Sequence, residues 1–365
     1  MKKLIKKVFP EKFGPFFKKI KNKGKLDNEL VHISEVFINS ESYKFVSNQW
    51  HSLNIIDYKN ILNSGTKNLA TNTFGHYFNF FDYDNKYLKN LFKNINNNEI
   101  LNLKSNYIKK HENLDFKKSS NYNYLLLLLY SNLRKSKYFE LLSLLKDKTY
   151  LDFGNPYINI DNQNITSDKL ISLFDLESID NFNFIKKMKI LEIGAGSGRL
   201  SECILATKNI LNFTVCDIPP SIYINYKRLK LAFPDKKIKL LIDVETSDEL
   251  NSEILNNDIT FIFPHQIKKI NKETYDMTIA VDCLHEMDKS TLKFYFKHIS
   301  NISKKFYFSI WEKTKNWGSG GIFKKTERLD FSKGDYPIPT NWTLQQKKNL
   351  IFPSNHISLG YLLKK

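Results

Sequence analysis

The residues best suited to chemistry lie in two short stretches of the chain's second half. In "LEIGAGSGR", Gly194, Gly196 and Gly198 alternate directly after an apolar run, with Glu192 just ahead of them. Asp217 stands 19 residues after Gly198, at the end of the next apolar run, "NFTVCDI". Glycines between a strand and a helix let a ligand approach the backbone, and an acidic residue at about that distance accepts hydrogen bonds from ribose hydroxyls. A dinucleotide fingerprint would need a third glycine where Arg199 stands. The expected ligand is therefore a nucleoside without a pyrophosphate.

The second stretch, "DCLHEM", ends another apolar run and offers Asp282, His285 and Glu286. An unperturbed imidazole titrates near neutrality, so His285 is the first choice for a general base. Glu286 would orient that imidazole, or act as the base itself if desolvation raises its pKa. Asp282 is placed to hold a substrate or a divalent ion. A core or helix-capping role is the plain alternative for His285.

These residues need elements to position them. From Lys187 onward, the short apolar runs "MKILEIG", "NFTVCDI", "ITFIF", "MTIAVDCL" and "KFYFSIW" read as strands, with "GRLSECILATK" and "PSIYINYKRLKLAF" as helices between them. That alternation predicts a parallel sheet with helices on both faces, which binds ligands beyond the carboxyl ends of its strands. "KIKLLI" competes with "ITFIF" for the third strand, and "HISLGYLL" reads as a final antiparallel edge strand. Ahead of the sheet, apolar residues recur at three- and four-residue spacing, as at Leu88, Leu91, Phe92 and Ile95, which predicts helices. "GNPYINIDNQNITSD" breaks that pattern and predicts an extended or hairpin segment before a helix starting near Ser167. Three regions result: a basic lead, 1–25; a mainly helical region, 26–183, expected to supply acceptor specificity; and an α/β half, 184–365.

"LEIGAGSGR" followed by "CDIPP" resembles motif I and the acidic residue after it in class I S-adenosylmethionine-dependent methyltransferases. The resemblance implies an α/β, Rossmann-like fold with a seven-stranded, mostly parallel sheet and a mainly helical N-terminal extension. It implies that Gly194, Ala195, Gly196 and Gly198 lie against the methionine portion and ribose of the cofactor. Asp217, with Ile218 beside it, would hold the ribose, and Glu192 would orient the loop and the cofactor's amino group. Phe263 and His265, in "FIFPHQI", follow the third strand, where adenine packs in this superfamily; a plain core role is the alternative for Phe263.

Further segments resemble a family of bacterial sugar O-methyltransferases from surface-polysaccharide gene clusters. They are "GNPYINIDNQNITSDKLIS", "CDIPPSIYINYKRLKLAFPD", "YDMTIAVDCLHEM" and "DYPIPTNWTLQQKKNLIFPSNHISLGYLLKK". This second resemblance implies methyl transfer to a sugar hydroxyl in the making of a capsule or lipopolysaccharide. The chain departs from that family at His285, where a Gln often precedes Glu-Met, so the base is not carried over. The implied cofactor is S-adenosylmethionine; a divalent metal is compatible with Asp282, but no ligand set is indicated.

Composition bounds the alternatives. With 41% hydrophobic and 14% aromatic residues the chain has the makings of a folded core, unlike a disordered chain. A net charge of +18 draws it to polyanions without choosing among nucleic acid, anionic lipid and acidic glycan, and a solvated, lysine-rich surface accounts for it equally well. Amino-methyltransferases of flipped bases carry their Pro-Pro motif after the fourth strand. Here "DIPP" follows the second, which argues against nucleic acid.

Ten lysines in the first 25 residues, interleaved with Leu4, Phe9, Phe13 and Phe16, suit a basic amphipathic segment on an anionic membrane. No run approaches the ~20 apolar residues of a membrane span. Cys203, Cys216 and Cys283 have no metal-like or disulfide spacing. The expected compartment is the cytoplasm, with peripheral contact at the inner membrane face. Gly318, Gly320 and Gly321, beside Trp311 and Trp317, read either as a loop that closes over a sugar or as linkage with no role. No feature of the sequence sets an oligomeric state.

Overall fold

The computed structural model of the chain describes residues 27–64, 126–152, 155, 157–182, 187–314, 329–350 and 356–363. The basic lead, the helical pattern at 88–95 and the glycines at 318–321 lie outside the described residues.

Helix α1 (Asn28–Asn39) starts at Asp27, whose carboxylate accepts the Glu29 N–H at 2.8 Å. A 3-10 turn (Glu41–Phe45) leads into α2 (Asn48–Ser64). Leu126, Leu127, Leu128 and Leu129 fall in a helical stretch, 126–133, and are all buried. After α3 (Asp147–Asp152), β1 (Tyr157–Ile160) and β2 (Gln163–Thr166) form the expected hairpin. Its two-residue turn is Asp161-Asn162, at φ +50° and +63°, a pair of residues that tolerates the left-handed region a tight hairpin needs. The Thr166 hydroxyl then caps α4 (Ser167–Asp180), accepting the Lys169 N–H at 3.2 Å.

The α/β half begins with β3 (Met188–Ile193) and continues with α5 (Arg199–Thr207), β4 (Ile210–Cys216), α6 (Ser221–Ala232), β5 (Ile238–Leu240), α7 (Ser247–Asn256) and β6 (Ile259–Ile262). It ends with β7 (Tyr275–Val281), α8 (Lys289–Ile302), β8 (Ser303–Trp311), β9 (Trp342–Asn349) and β10 (His356–Leu363). The strands form one sheet in the order β5-β6-β4-β3-β7-β8-β10-β9. All neighbours from β5 to β8 are parallel, and β10 is antiparallel to both β8 and β9. This is a Rossmann-like α/β fold.

The sheet has eight strands rather than seven, because "KIKLLI" and "ITFIF" are both strands, β5 lying outside β6. "HISLGYLL" is antiparallel, as expected, yet it is not the edge. That place belongs to β9, which reads as no strand because only one of its eight residues is buried. An edge strand facing water carries no apolar run to betray it.

Along β3 the side chains alternate between two cores, as a period of two requires. Ile190 packs in the cluster that includes Leu30 of α1, Tyr58 of α2, Leu170 of α4, Leu200 of α5 and Ile222 of α6. Leu191 and Ile193 pack with Leu250 of α7 and Leu292 and Phe296 of α8. The N-terminal helices therefore share a core with one face of the sheet. From β3 the chain winds outward to β4, β6 and β5 on one side and then crosses to β7 on the other, so the topological switch point lies between β3 and β7. Among the described residues no helix is long and apolar enough to cross a membrane.

Candidate active site

A cavity opens at the carboxyl edge of the sheet, beside that switch point. Gly194, Gly196, Asp217 and Ile218 line one side, and Asp282, Cys283, Glu286 and Met287 the other. Phe45 and Ser47, from the segment joining α1 to α2, and Trp50, in the first turn of α2, close it over.

The three glycines of the loop all have positive φ, +67°, +57° and +78°, but they lack side chains for different reasons. A Cβ on Gly194 would come within 2.6 Å of the Cys283 Cβ, and one on Gly198 within 2.3 Å of the Asn225 side chain. These two glycines make room for the protein itself. Only at Gly196 would a Cβ meet nothing within 4 Å. It is the one position of the three where the backbone faces open space that a ligand can use. Gly198 and Ala195 are not among the cavity-lining residues.

Asp217, at the tip of β4, holds this loop in place. One carboxylate oxygen accepts the Gly196 N–H at 2.8 Å and the other accepts the Ile218 N–H at 2.7 Å. Burial pushes this carboxyl up to about 7 despite the two N–H donors. Each oxygen keeps a further lone pair for a ligand hydroxyl. Glu192 lies behind the loop rather than in the cavity: it is buried, accepts the Ser201 hydroxyl of α5, and is pushed up to about 7 by burial. Its carboxylate is tied to α5 rather than to the glycine loop, and Glu192 is not among the cavity-lining residues. Arg199 pairs with Asp175 of α4 at 2.7 Å, so the position where a dinucleotide fold wants glycine instead pins α4 to α5.

Two of the expected cofactor residues fall elsewhere. Phe263 is fully buried and packs edge-on against Phe37 of α1, with ring centroids 5.3 Å apart. It is a core residue, and Pro264 next to it lines the cavity instead. His265 is turned to the 3-10 turn: its backbone N–H donates to the Ser42 hydroxyl at 3.1 Å, and its Nδ1 lies 2.7 Å from the same oxygen. Burial, with Lys269 and Lys268 nearby, lowers this imidazole to about 4. A neutral ring lets Nδ1 accept the Ser42 proton, so His265 anchors the segment that covers the cavity.

On the opposite side of the cavity, Asp282 sits at φ +59° directly after β7, and the strained turn carries the chain into a short 3-10 turn (Leu284–Glu286). Glu286 lines the cavity, and its carboxylate accepts the Trp50 indole N–H at 2.8 Å. Burial pushes Glu286 up to about 8, the Asp282 charge adding to it and the Trp50 bond opposing it. His285 lies behind Asp282, outside the lining, stacked on Trp311 with centroids 5.3 Å apart. Burial lowers it to about 4. For Asp282 burial works upward, but the His356 charge and hydrogen bond outweigh it and hold the carboxyl at about 2.

His356 is the residue that spacing could not reveal. It begins β10, opposite Trp311 of β8, and its Nε2 lies 2.5 Å from Asp282 Oδ1. Trp50 escapes notice for the same reason, being 236 positions from the carboxylate it meets. The three cysteines are free and buried, and the Cys283 thiol donates to the Ile193 carbonyl at 3.2 Å, tying the β7 tip to the loop.

No protein-family model matches the chain, and no curated protein matches it. Solved structures that it resembles include an S-adenosylmethionine-dependent methyltransferase from Aquifex aeolicus, at 13% identity over 53% of this chain and 92% of that one, with a TM-score of 0.35. A second is an S-adenosylmethionine-dependent methyltransferase from Clostridium acetobutylicum, at 15% identity over 53% and 91%, TM-score 0.31. A third is the magnesium protoporphyrin IX methyltransferase of Synechocystis with bound S-adenosylhomocysteine, at 14% identity over 64% and 97%, TM-score 0.35.

Proposed function

We propose that the chain is an S-adenosylmethionine-dependent O-methyltransferase acting on a sugar hydroxyl in surface-polysaccharide synthesis. The observation that carries the cofactor assignment is Asp217: a buried carboxylate at the tip of β4, bonded to the Gly196 N–H across the one loop glycine that faces open space. These residues fit a nucleoside. Asp217 would accept the ribose hydroxyls, and the Gly196 backbone would lie against the part of the cofactor next to the ribose.

When bound, the cofactor supplies an electrophilic methyl on a sulfonium, open to in-line displacement. The chain's own contribution is alignment and removal of the acceptor's proton. Glu286 is the carboxylate that lines the cavity, and Trp50 fixes one of its oxygens, so proton acceptance falls to Glu286 rather than to the occluded His285. Asp282 faces the same space and would orient the acceptor. Phe45, Ser47 and Trp50 would exclude water, which fits a substrate-selecting role for the N-terminal region. The sugar and its polysaccharide setting rest on the sequence resemblance, and the lysine-rich lead would bring the enzyme to an anionic surface where lipid-linked acceptors lie.

Calorimetry with S-adenosylmethionine tests the cofactor, with binding expected in the wild type and lost in Asp217→Ala. Absence of binding to the wild-type protein would overturn the proposal. Methyl-labelled cofactor incubated with nucleotide sugars, glycan extracts and RNA tests the acceptor. Label is expected in the glycan arm, and label in RNA alone would replace the sugar assignment.

A further inference from the structure

We propose that Asp282, His285 and His356 form a binding site for one divalent transition-metal ion. One carboxylate oxygen and one nitrogen from each imidazole lie within 4.8 Å of one another. His356 Nε2 is 2.5 Å and His285 Nε2 3.7 Å from Asp282 Oδ1. With metal–ligand bonds of about 2.0–2.2 Å, the ligands of one such ion stand roughly 3–3.5 Å apart. The two separations straddle that range, so small side-chain shifts suffice.

The fold brings the three residues together for a reason. β7 and β8 are parallel and end at the same edge of the sheet, whereas β10 runs antiparallel and begins there. The first residue of β10 therefore meets the residues just after β7. The left-handed backbone of Asp282 and the 3-10 turn behind it leave the Asp282 and His285 side chains close together.

The hydrogen bonds present do not account for this cluster. Asp282 satisfies His356 Nε2 but leaves His285 without a partner: its Nδ1 has none, and its Nε2 is beyond hydrogen-bonding distance of the carboxylate. His285 is only 8% exposed, and a buried polar ring without a hydrogen bond among the described residues calls for an unseen partner. A cation between the three groups supplies it. Two imidazoles and one carboxylate suit zinc, iron(II) or cobalt(II) rather than magnesium or calcium, which prefer oxygen. The Asp282 side chain is 32% exposed and lines the cavity, which leaves open positions on that side of the ion. On the methyltransferase proposal, an ion there would hold an acceptor oxygen and lower its pKa. That role rests on the proposal; the binding does not.

Metal-free full-length protein is titrated with Co2+ and followed by visible ligand-field absorption. One equivalent is expected to bind, displaced by Zn2+ and not by Mg2+. His356→Ala and His285→Ala are each expected to weaken binding at least about 100-fold, since even outer partners of metal ligands cost 10–100-fold. His298→Ala, an imidazole outside the cluster, should leave it unchanged. No stoichiometric binding, or equal binding in wild type and both cluster variants, overturns the site. Should both variants unfold by circular dichroism, the electron paramagnetic resonance of Cu2+-loaded wild type decides: two imidazole nitrogens support the site, and one or none overturns it. Calorimetry with S-adenosylmethionine on the chelated protein separates the two proposals. Lost cofactor binding alongside normal Co2+ binding would overturn the methyltransferase function and leave the metal site standing.

Discussion

The two sides of the cavity are built in opposite ways. The side proposed for the cofactor comes from one continuous strand, loop, helix and strand, from β3 to the tip of β4, and the side-chain bonds of its two carboxylates, Asp217 and Glu192, join residues about 20 positions apart or fewer. The side proposed for the acceptor is gathered from α2, the end of β7 and the start of β10, with contacts that span 74 and 236 positions. The cofactor side works through backbone geometry, which tolerates little substitution. On the acceptor side the parts are side chains held by the topology of the sheet, so each can be removed singly.

Asp217→Ala should produce the largest change. It removes the expected ribose acceptor and strands the Gly196 and Ile218 N–H groups, and with about 1.5–3 kcal/mol for each bond to a charged group, cofactor affinity should fall by about 100-fold or more. Calorimetry reads this directly, and a loss under tenfold would break the contrast.

Gly194→Ala comes next and acts on stability. Its Cβ would press on Cys283 at 2.6 Å with φ at +67°, costing about 2–4 kcal/mol of strain and overpacking, seen as a lowered melting temperature. Cys283→Gly should restore part of it. Gly196→Ala should be milder in stability, about 1 kcal/mol for its φ, yet block the cofactor, because its Cβ fills the open cradle. Equal melting temperatures for the two variants would show that the loop glycines are interchangeable.

Trp50→Phe keeps an aromatic ring and removes the donor to Glu286. Methyl transfer should drop about tenfold while cofactor affinity stays within about threefold, a split that places Trp50 on the acceptor side. Equal losses in both would assign it to the cofactor side.

The smallest effect is one of pH. Burial raises Asp217 to about 7, so it is largely protonated at pH 6 and ionised at pH 8. A carboxylate accepts ribose hydroxyls better than a carboxylic acid, so cofactor binding should tighten a few-fold over that interval. Asp217→Asn should abolish the dependence. Glu192→Gln should not, although Glu192 is also raised to about 7, because it bonds Ser201 outside the cavity.

Much of the cofactor side was legible because its signals are local. Alternating glycines, the acidic strand tip and the apolar runs of β3, β4 and β7 are all patterns within a few residues. Two refinements needed the neighbours: Gly194 and Gly198 are required by Cys283 and Asn225 rather than by a ligand, and Phe263 and His265 face α1 and the 3-10 turn rather than the cavity. The edge strand β9 and the inner place of β10 were hidden because β9 is polar along most of its length.

Residue types and their periodicity were enough to establish an α/β sheet, the glycine loop after its first strand and the Asp282, His285, Glu286 cluster at a strand end. Local chain geometry carries such information, since strand, turn and helix are each decided by adjacent residues. The partners of that cluster were decided only when the chain closed. His356 reaches Asp282 because β10 runs against its neighbours, and Trp50 reaches Glu286 because the N-terminal helices pack on one face of the sheet. Nothing in a run of residues encodes which distant edge it will meet; burial of the shared core chooses that.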